Sequence, residues 1–258
     1  MRYSILILAA LFLATVVAGQ KIKKVGHRDL YPIKSKLGGI YKNYRKFQPA
    51  VRVSKGCVPF PAVGRYKMNG GLKIGGAIDG QCTGNAKGNQ VYARHMNFRK
   101  GKKRYRGIMY AYYFPKDQGS DGGVGNFFAR VFTGGKKGIG HRHDWEEVVV
   151  FTTWNWSRGL AAALSGHGEY KAYSGKNWHG HHKKTLYARK GGVGTHEFLE
   201  NSGAADGFRH PIANWYQLSK AVRYTLNKAN FGKASCKIND GNFEKKMKEA
   251  WRVANKKF

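Results

Sequence analysis

The sequence predicts a mainly β fold, an antiparallel β-sandwich with flanking helices. Short runs of β-branched and aromatic residues alternate with glycine-rich turns through the middle of the chain, a pattern typical of strands joined by tight connections. Apolar residues repeat at helical spacing near the end of the chain, so helices are expected to pack on the sheets. Aromatic residues make up 14% of the chain, which is enough material for a core.

The first residues have the pattern of a secretory signal peptide. Arg2 precedes an apolar run over residues 5–17, and small residues follow. That run is too short for a comfortable transmembrane span, and no later stretch of the sequence is long and apolar enough to be one. We expect residues 1–19 to be removed on secretion and residues 20–258 to form a single domain. Its lysine-rich beginning, residues 20–48, is expected to be a basic N-terminal arm on the surface.

The chain is strongly basic. Lys and Arg total 47 against 14 Asp and Glu, for a formal net charge of +33. Such a charge favours anionic partners, namely lipid headgroups, acidic polysaccharides or nucleic acid. No nucleic-acid recognition module is visible in the sequence, so nucleic acid is not expected as a partner. We expect a monomer that binds an anionic surface.

Three cysteines are present, and in a secreted chain two of them should pair. Cys57 and Cys82 are close in sequence and lie in glycine- and proline-rich surroundings, so we predict a disulfide between them. Cys236 is then expected to be free and buried.

A hairpin is predicted from two strands over residues 91–98 and 107–114. Its tip, residues 99–106, is polybasic and is interpreted either as a contact for an anionic surface or as a solvated loop. Six cations form this tip: Arg99, Lys100, Lys102, Lys103, Arg104 and Arg106.

Beyond the hairpin, residues 115–117 are expected to end the second strand, because proline lacks a backbone donor. Residues 118–140 are rich in glycine and contain an apolar run at 126–132, which could be a further strand or a loop tip. Short strands are then predicted at residues 170–173, 184–188 and 197–198.

Two helices are predicted near the end of the chain. Leu218, Val222 and Leu226 repeat at helical spacing, with Gly232 as a stop. Asp240 is a candidate N-cap for the second helix. The second helix has a core-facing apolar stripe made of Phe243, Met247, Trp251 and Ala254.

The least random feature of the sequence is a local concentration of acids and histidines. Residues 140–146 read Gly-His-Arg-His-Asp-Trp-Glu, and Asp117 and Asp121 lie upstream. Residues 145–154 predict a strand, along which side chains alternate between two faces. Asp144 and Glu146 therefore share a face, while Trp145 and Glu147 take the other.

Two carboxylates and an imidazole at the mouth of a strand suit a divalent cation. His141 and His143 are expected in the loop that enters the strand, because Gly138 and Gly140 allow a bend there. Oxygen-rich ligands favour Ca²⁺, Mg²⁺ or Mn²⁺ over Zn²⁺. The alternative interpretation is that Asp144 and Glu146 simply pair with Arg142 and nearby lysines.

The heptapeptide over residues 140–146 is identical to the signature of the necrosis- and ethylene-inducing peptide 1-like proteins, the NPP1 family. The resemblance covers about residues 25–258 and includes the segment around the first cysteine. Other segments that resemble the family are residues 56–63, 70–73, 90–94, 108–117, 231–234 and 239–243. The position of Cys82 also fits the family and supports its pairing with Cys57.

The resemblance implies a β-sandwich similar to actinoporin cytolysins and some lectins. It also implies a secreted, non-enzymatic toxin or effector. Cytolytic members bind the sugar headgroup of glycosyl inositol phosphoryl ceramides in plant plasma membranes and permeabilise them, and they require a divalent cation, Mg²⁺ or Ca²⁺. By motif position, the ligands in this sequence would be Asp117, His141, Asp144 and Glu146, directly or through water. Arg142 would balance the acids, and His143 would support the motif.

This sequence also departs from the family pattern. Residues 118–140 form a longer segment than many members have, so Asp117 could be displaced and Asp121 could replace it. The charge is unusually high, and the family includes non-toxic members. Two other functions therefore stay open: surface binding by charge alone, and metal-dependent hydrolysis of an acidic polysaccharide, in which His141, Asp144 and Glu146 activate a water. The sequence supplies no clear separate general acid for hydrolysis.

Overall fold

The computed structural model describes residues 19–120, 140–190 and 194–258. Almost all of the predicted signal peptide, together with Asp121 and the apolar run at 126–132, lies outside these ranges. The strands are β1 (Lys23–Val25), β2 (Ala50–Val53), β3 (Val63–Gly64), β4 (Lys67–Asn69), β5 (Val91–Lys100), β6 (Lys103–Gln118), β7 (Gly140–Thr153), β8 (Gly159–Gly166), β9 (Glu169–Ser174), β10 (Trp178–His179), β11 (His182–Arg189), β12 (His196–Glu200) and β13 (Ile212–Asn214). The α-helices are α1 (Lys42–Lys46), α2 (Lys220–Lys228) and α3 (Phe243–Ala254).

Two sheets form the predicted sandwich. A six-stranded sheet has the order β13-β5-β6-β7-β8-β9, and a second sheet joins β10, β11, β12 and β2. Aromatic rings fill the space between them: Phe114 stacks on Tyr187 with centroids 3.7 Å apart, and Tyr112 meets Phe198 edge-on at 5.2 Å. The predicted sandwich is confirmed. Its pairing is mainly antiparallel, although β13 with β5 and β2 with β11 are parallel.

The outer face of the six-stranded sheet is covered by α3. Trp251 of this helix stacks on Phe98 at 4.7 Å and contacts Phe151 at 5.4 Å. The predicted apolar stripe is confirmed, but Asp240 is not the N-cap. The helix follows Asn242, and Asp240 instead pairs with Arg94 at 3.0 Å.

The helix α2 begins after Ser219, whose side chain accepts the backbone N–H of Val222. It ends at Lys228, four residues before the predicted stop at Gly232. In the described part of the chain, no helix is long and apolar enough to cross a membrane.

The central strands extend further than predicted. The hairpin between β5 and β6 turns only at Gly101 and Lys102, because residues 99–100 and 103–106 pair as strand. The strand β6 also continues through Pro115 to Gln118, and β7 begins at Gly140. His141 and His143 therefore lie in the strand, not in an entering loop.

The predicted basic arm is largely integrated into the domain. Residues 23–25 pair with β4 in a three-stranded sheet, and Tyr44 and Phe47 are fully buried. The predicted disulfide between Cys57 and Cys82 is present, and Cys236 is free and buried.

Candidate metal centre

Three of the four predicted ligands meet at one end of the β6–β7 pair. Asp117 of β6 lies opposite His141 of β7, and Asp144 is three residues further along the same strand. One ligand atom from each of these three residues lies within 4.8 Å of the other two. The longer segment before the motif has therefore not displaced Asp117.

An irregularity in both strands makes this grouping possible. In a regular strand, residues three apart point to opposite faces, so His141 and Asp144 would be separated by the sheet. His143, between them, has a left-handed backbone with φ of 61°, and it lies across from Pro115, which has no N–H to donate. This break in alternation brings His141 to the face of Asp144.

The residues around this break in alternation pack closely against the His143 ring. Gly71 packs behind the His143 ring, where an added Cβ would lie 2.7 Å from two ring atoms. The Tyr113 hydroxyl lies 2.6 Å from Nδ1 of His143 on the other side. Burial and the charge of Arg142 lower the pKa of His143 to about 4, so its ring is neutral at pH 7. His143 is thus a positioning residue.

The buried acids have no cationic partner on their own strand. Arg142 is exposed and donates to the Gly70 carbonyl at 2.7 Å, and among the described residues neither Asp144 nor Glu146 forms a salt bridge. The interpretation that these acids simply pair with Arg142 and nearby lysines is wrong. Asp144 instead accepts a hydrogen bond from the Tyr187 hydroxyl at 2.7 Å.

Glu146 shares the face of Asp144, as the alternation predicts, but it is not in the three-residue group. It accepts a hydrogen bond from the Ser165 hydroxyl. Burial and the charges of Asp144 and Glu147 raise the pKa of Glu146 well above its usual range. Glu147 accepts from Tyr170.

The hydrogen bond of His141 fixes which ring nitrogen can bind a metal. Its Nδ1 lies 2.6 Å from the backbone oxygen of His143. A carbonyl oxygen can only accept, so Nδ1 carries the proton and the lone pair of Nε2 is left for a ligand. Together with the two carboxylates, this donor set fits Mg²⁺ or Ca²⁺.

His196 is a site residue that the sequence interpretation missed. Its backbone N–H and Nδ1 both contact the Asp117 carboxylate, with Nδ1 2.7 Å from Oδ1, while its Nε2 lies 2.6 Å from the Lys55 oxygen. Its ring also stacks on Tyr187 at 4.9 Å. His196 and Tyr187 thus hold the two acids from the facing sheet. The sequence signal was weak: Tyr187 lies in the predicted strand at 184–188, and His196 only precedes the one at 197–198.

Replacing His196 by Gln should weaken Mg²⁺ or Ca²⁺ binding by about 10- to 100-fold, because outer contacts orient the ligands. The measurement is a calorimetric titration, with circular dichroism to confirm folding. His179→Gln, an exposed histidine that contacts Asp206, serves as control and should bind the cation normally. Equal affinity of His196→Gln and the unsubstituted protein would show that Asp117 needs no such support.

Metal affinity should depend on pH through Asp144. Burial, with the charge of Asp117, raises the pKa of Asp144 from 3.8 to about 6. Protonation of Asp144 therefore stabilises the metal-free folded state. This stabilisation is lost as the pH rises from about 4 through 6. Because the cation needs the ionised form, its dissociation constant should be about tenfold weaker at pH 5 than at pH 7. Titrations that give the same affinity at both values would contradict this pKa.

A groove opens beside the cluster. It has a volume of about 1010 Å³, and His141 and Arg142 form part of its wall. Lys24, Lys73 and Lys233 also line it, and all three are exposed. Among the described residues, none of these three ammonium groups has a hydrogen-bond or ion-pair partner. The groove is thus cationic, and it shares His141 with the acidic cluster.

The six hairpin cations do not belong to this groove. The distance from Arg104 to Asp117 along β6 is roughly 40 Å at about 3.3 Å per residue. The six cations also do not form one surface: Arg99 faces Arg104 across the ladder, whereas Lys100 donates to carbonyls after α3. The predicted anionic contact therefore lies at the opposite end of the sheet from the cluster.

Comparison with known proteins shows the family of the chain. Residues 41–250 match the profile of the family described as "Necrosis inducing protein (NPP1)". The chain belongs to the NPP1 family. Among its NPP1 relatives, NLP effector protein 6 of Phytophthora capsici is 35% identical over 213 residues, which are 80% of this chain and 56% of the relative. Necrosis-inducing protein NPP1 of Phytophthora nicotianae is 32% identical, with 80% of this chain and 81% of the relative covered. The chain thus spans little more than half the length of several relatives.

Solved structures of this family have the same fold. The non-toxic HaNLP3 protein superposes with a TM-score of 0.71 at 30% identity, covering 87% of this chain and 98% of that one. NLPPya in complex with mannosamine gives a TM-score of 0.72 at 28% identity, covering 88% and 98%. NLPPya in complex with glucosamine gives the same TM-score, identity and coverage.

Proposed function

We propose that this NPP1-family protein is a secreted effector that binds the glycosyl inositol phosphoryl ceramide of plant plasma membranes and permeabilises them. The observation that carries the proposal is the grouping of Asp117, His141 and Asp144, in which Asp144 is buried and forms no salt bridge with any described residue. These residues would hold Mg²⁺ or Ca²⁺, with Glu146 as a further ligand, directly or through water. The bound cation would supply open coordination positions for sugar hydroxyl oxygens.

The groove beside the cluster supports a headgroup that bears both sugar and phosphate. The similar protein NLPPya has been solved in complex with mannosamine and with glucosamine, which supports a sugar-sized ligand for this fold. The groove residues Lys24, Lys73 and Lys233, together with Arg142, add attraction for a phosphate, on the order of 1 kcal/mol for each well-placed cation. Phosphate and sugar would thus be recognised by different parts of one groove.

We propose a non-enzymatic role for this site. Hydrolysis would need a separate general acid, and Glu147, the next carboxyl after Glu146 on β7, is held on the opposite face by Tyr170. The proposal includes secretion after removal of residues 1–19 and action as a monomer at the host plasma membrane.

A non-cytolytic surface-binding protein is the second candidate. It is favoured by the similarity to the non-toxic HaNLP3 protein and by the net charge of +33. In that case the protein would bind the same surface without opening the membrane.

The test is dye release from vesicles that contain glycosyl inositol phosphoryl ceramide, with and without a chelator. Release that the chelator stops, and that added Mg²⁺ or Ca²⁺ restores, is the expected result. Vesicles with phosphatidylserine as their anionic lipid are the control and should not leak. Cation-dependent binding without release would select the second candidate. Binding that salt removes but a chelator does not would contradict a role for the metal.

A further inference from the structure

We propose that the hairpin end of the six-stranded sheet carries a second binding site, for an acidic polysaccharide. The site consists of Arg99, Arg104, Arg106, Asn97 and Trp154, and it is independent of the metal cluster. It lies at the opposite end of β6, so one headgroup cannot occupy both.

The arrangement of charge is the first observation. Arg99 lies directly opposite Arg104 in the ladder, and Lys100 lies opposite Lys103. Like charges in directly opposed positions destabilise a sheet. Among the described residues, Arg99, Lys103 and Arg104 form no ion pair with an acid, whereas Lys100 donates to the Asn255 and Phe258 oxygens. Charge of this kind is stabilised when an anion binds across it.

The second observation is that aromatic rings hold the guanidinium groups in place. Arg104 and Arg106 both stack on Trp154, at 4.2 and 4.1 Å from the ring centre, and Arg106 also lies 4.7 Å from Trp156. Stacking reduces the freedom of a long side chain. Arg104 is exposed and can still offer its N–H groups to a ligand, whereas Arg106 is partly buried, with its Nε out of contact with solvent. The planar guanidinium groups are thus held in position before a ligand binds.

The third observation is a groove whose lining residues can contact a sugar. A cavity of about 360 Å³ is lined by Asn97, Phe98, Arg99, Arg104 and Trp154. The amide can bond sugar hydroxyls, and the indole offers an apolar wall for the face of a sugar ring.

The spacing of the arginines favours a polymer with repeated carboxylates. Arg104 and Arg106 project from alternate positions of one strand, roughly 7 Å apart along the strand. Planar guanidinium groups bind carboxylates through two parallel hydrogen bonds. A chain of uronic acid residues presents such groups in a row, so it can engage more than one arginine.

A membrane surface fits the hairpin less well. The turn consists of Gly101 and Lys102, which have no apolar side chain to insert. The large hydrophobic residues that are exposed in the described part of the chain lie outside the hairpin, at Tyr31, Ile40, Phe208 and Tyr216.

The experiment measures binding to immobilised polygalacturonate at 150 mM salt in the presence of a chelator. Arg99→Gln/Arg104→Gln should weaken binding by about tenfold or more, since two charge-assisted contacts are lost. The matched control is Lys100→Gln/Lys103→Gln, which removes the same charge from the same hairpin but from the other face. It should change the affinity by less than about threefold, because these two side chains point away from the groove and solvent and salt screen their charge.

Two further variants separate geometry from charge and from the metal site. Arg99→Lys/Arg104→Lys keeps the charge and loses the planar fork, so it should retain only part of the affinity. Asp144→Asn should bind polygalacturonate normally. The proposal is overturned if the two Gln pairs lose affinity equally, if Asp144→Asn abolishes binding, or if the folded protein binds phosphatidylserine vesicles through Arg99 and Arg104 but not polygalacturonate.

Discussion

Replacing Asp144 by Asn is expected to abolish vesicle leakage, with a loss of at least about 100-fold, because an amide removes a charged metal ligand from the cluster. The fold should persist. Asn can still accept the hydrogen bond from Tyr187, and its volume is nearly that of Asp. The leakage assay and a thermal melt of the same preparation measure both effects.

Asp144→Asn is expected to leave the stability of the metal-free protein unchanged or to raise it. The folded-state pKa of Asp144 is raised to about 6 by burial and by the charge of Asp117. At pH 7 the ionised group therefore opposes folding when no metal is bound. The metal-free Asn variant should melt at the same temperature as the unsubstituted protein, or higher. An Asn variant that melts much lower would show that the carboxylate is needed for the fold itself.

Glu147→Gln is the matched control for this substitution. It also removes one buried acid from β7, but from the face that Tyr170 covers. Cation-dependent leakage should continue in this variant. A similar loss in both variants would mean that charge in the whole strand, and not the cluster, controls activity.

Removing the disulfide should have the largest effect on stability. The bridge between Cys57 and Cys82 closes a loop with a sequence separation of 25. Its loss as Cys57→Ser/Cys82→Ser should lower the free energy of unfolding by about 3.5 kcal/mol, mainly because the unfolded chain gains freedom. Urea unfolding of the two proteins measures this difference.

The disulfide should also affect the metal centre. The Lys55 oxygen, two residues before Cys57, contacts Nε2 of His196, and His196 in turn contacts Asp117. A looser segment around Lys55 should therefore weaken cation binding even under conditions where the variant is folded. Cys236→Ser, which removes the free buried thiol, is the control and should keep the affinity for the cation. Unchanged affinity in the disulfide variant would show that His196 is held by other contacts.

The parts of the fold that sequence could predict are those in which one local pattern dominates. The runs at 107–114 and 145–154 are β-branched or aromatic, and both are central strands. The strand β8 was not predicted, because its Ala161, Ala162 and Ala163 have little intrinsic preference for a strand. All three are fully buried in a strand that packs against α3 and β12, and local sequence does not report those neighbours.

The candidate site could be predicted in part, because the alternation of side chains along a strand is also a local pattern. Alternation correctly placed Asp144 and Glu146 on one face, but it cannot bring in His141, which lies three residues before Asp144. That requires the left-handed backbone at His143 and the proline opposite, whose effect depends on strand pairing. His196 is 79 residues from Asp117 in sequence. Its role follows only from the way the two sheets face each other.

Calorimetric titration of Mg²⁺ and Ca²⁺ into the metal-free protein at pH 7 tests the metal centre most directly. We expect one binding site in the unsubstituted protein, a rise in melting temperature on saturation, and no detectable binding in Asp144→Asn. Absence of binding by the unsubstituted protein, or equal binding by the Asn variant, would contradict the assignment of a cation to Asp117, His141 and Asp144.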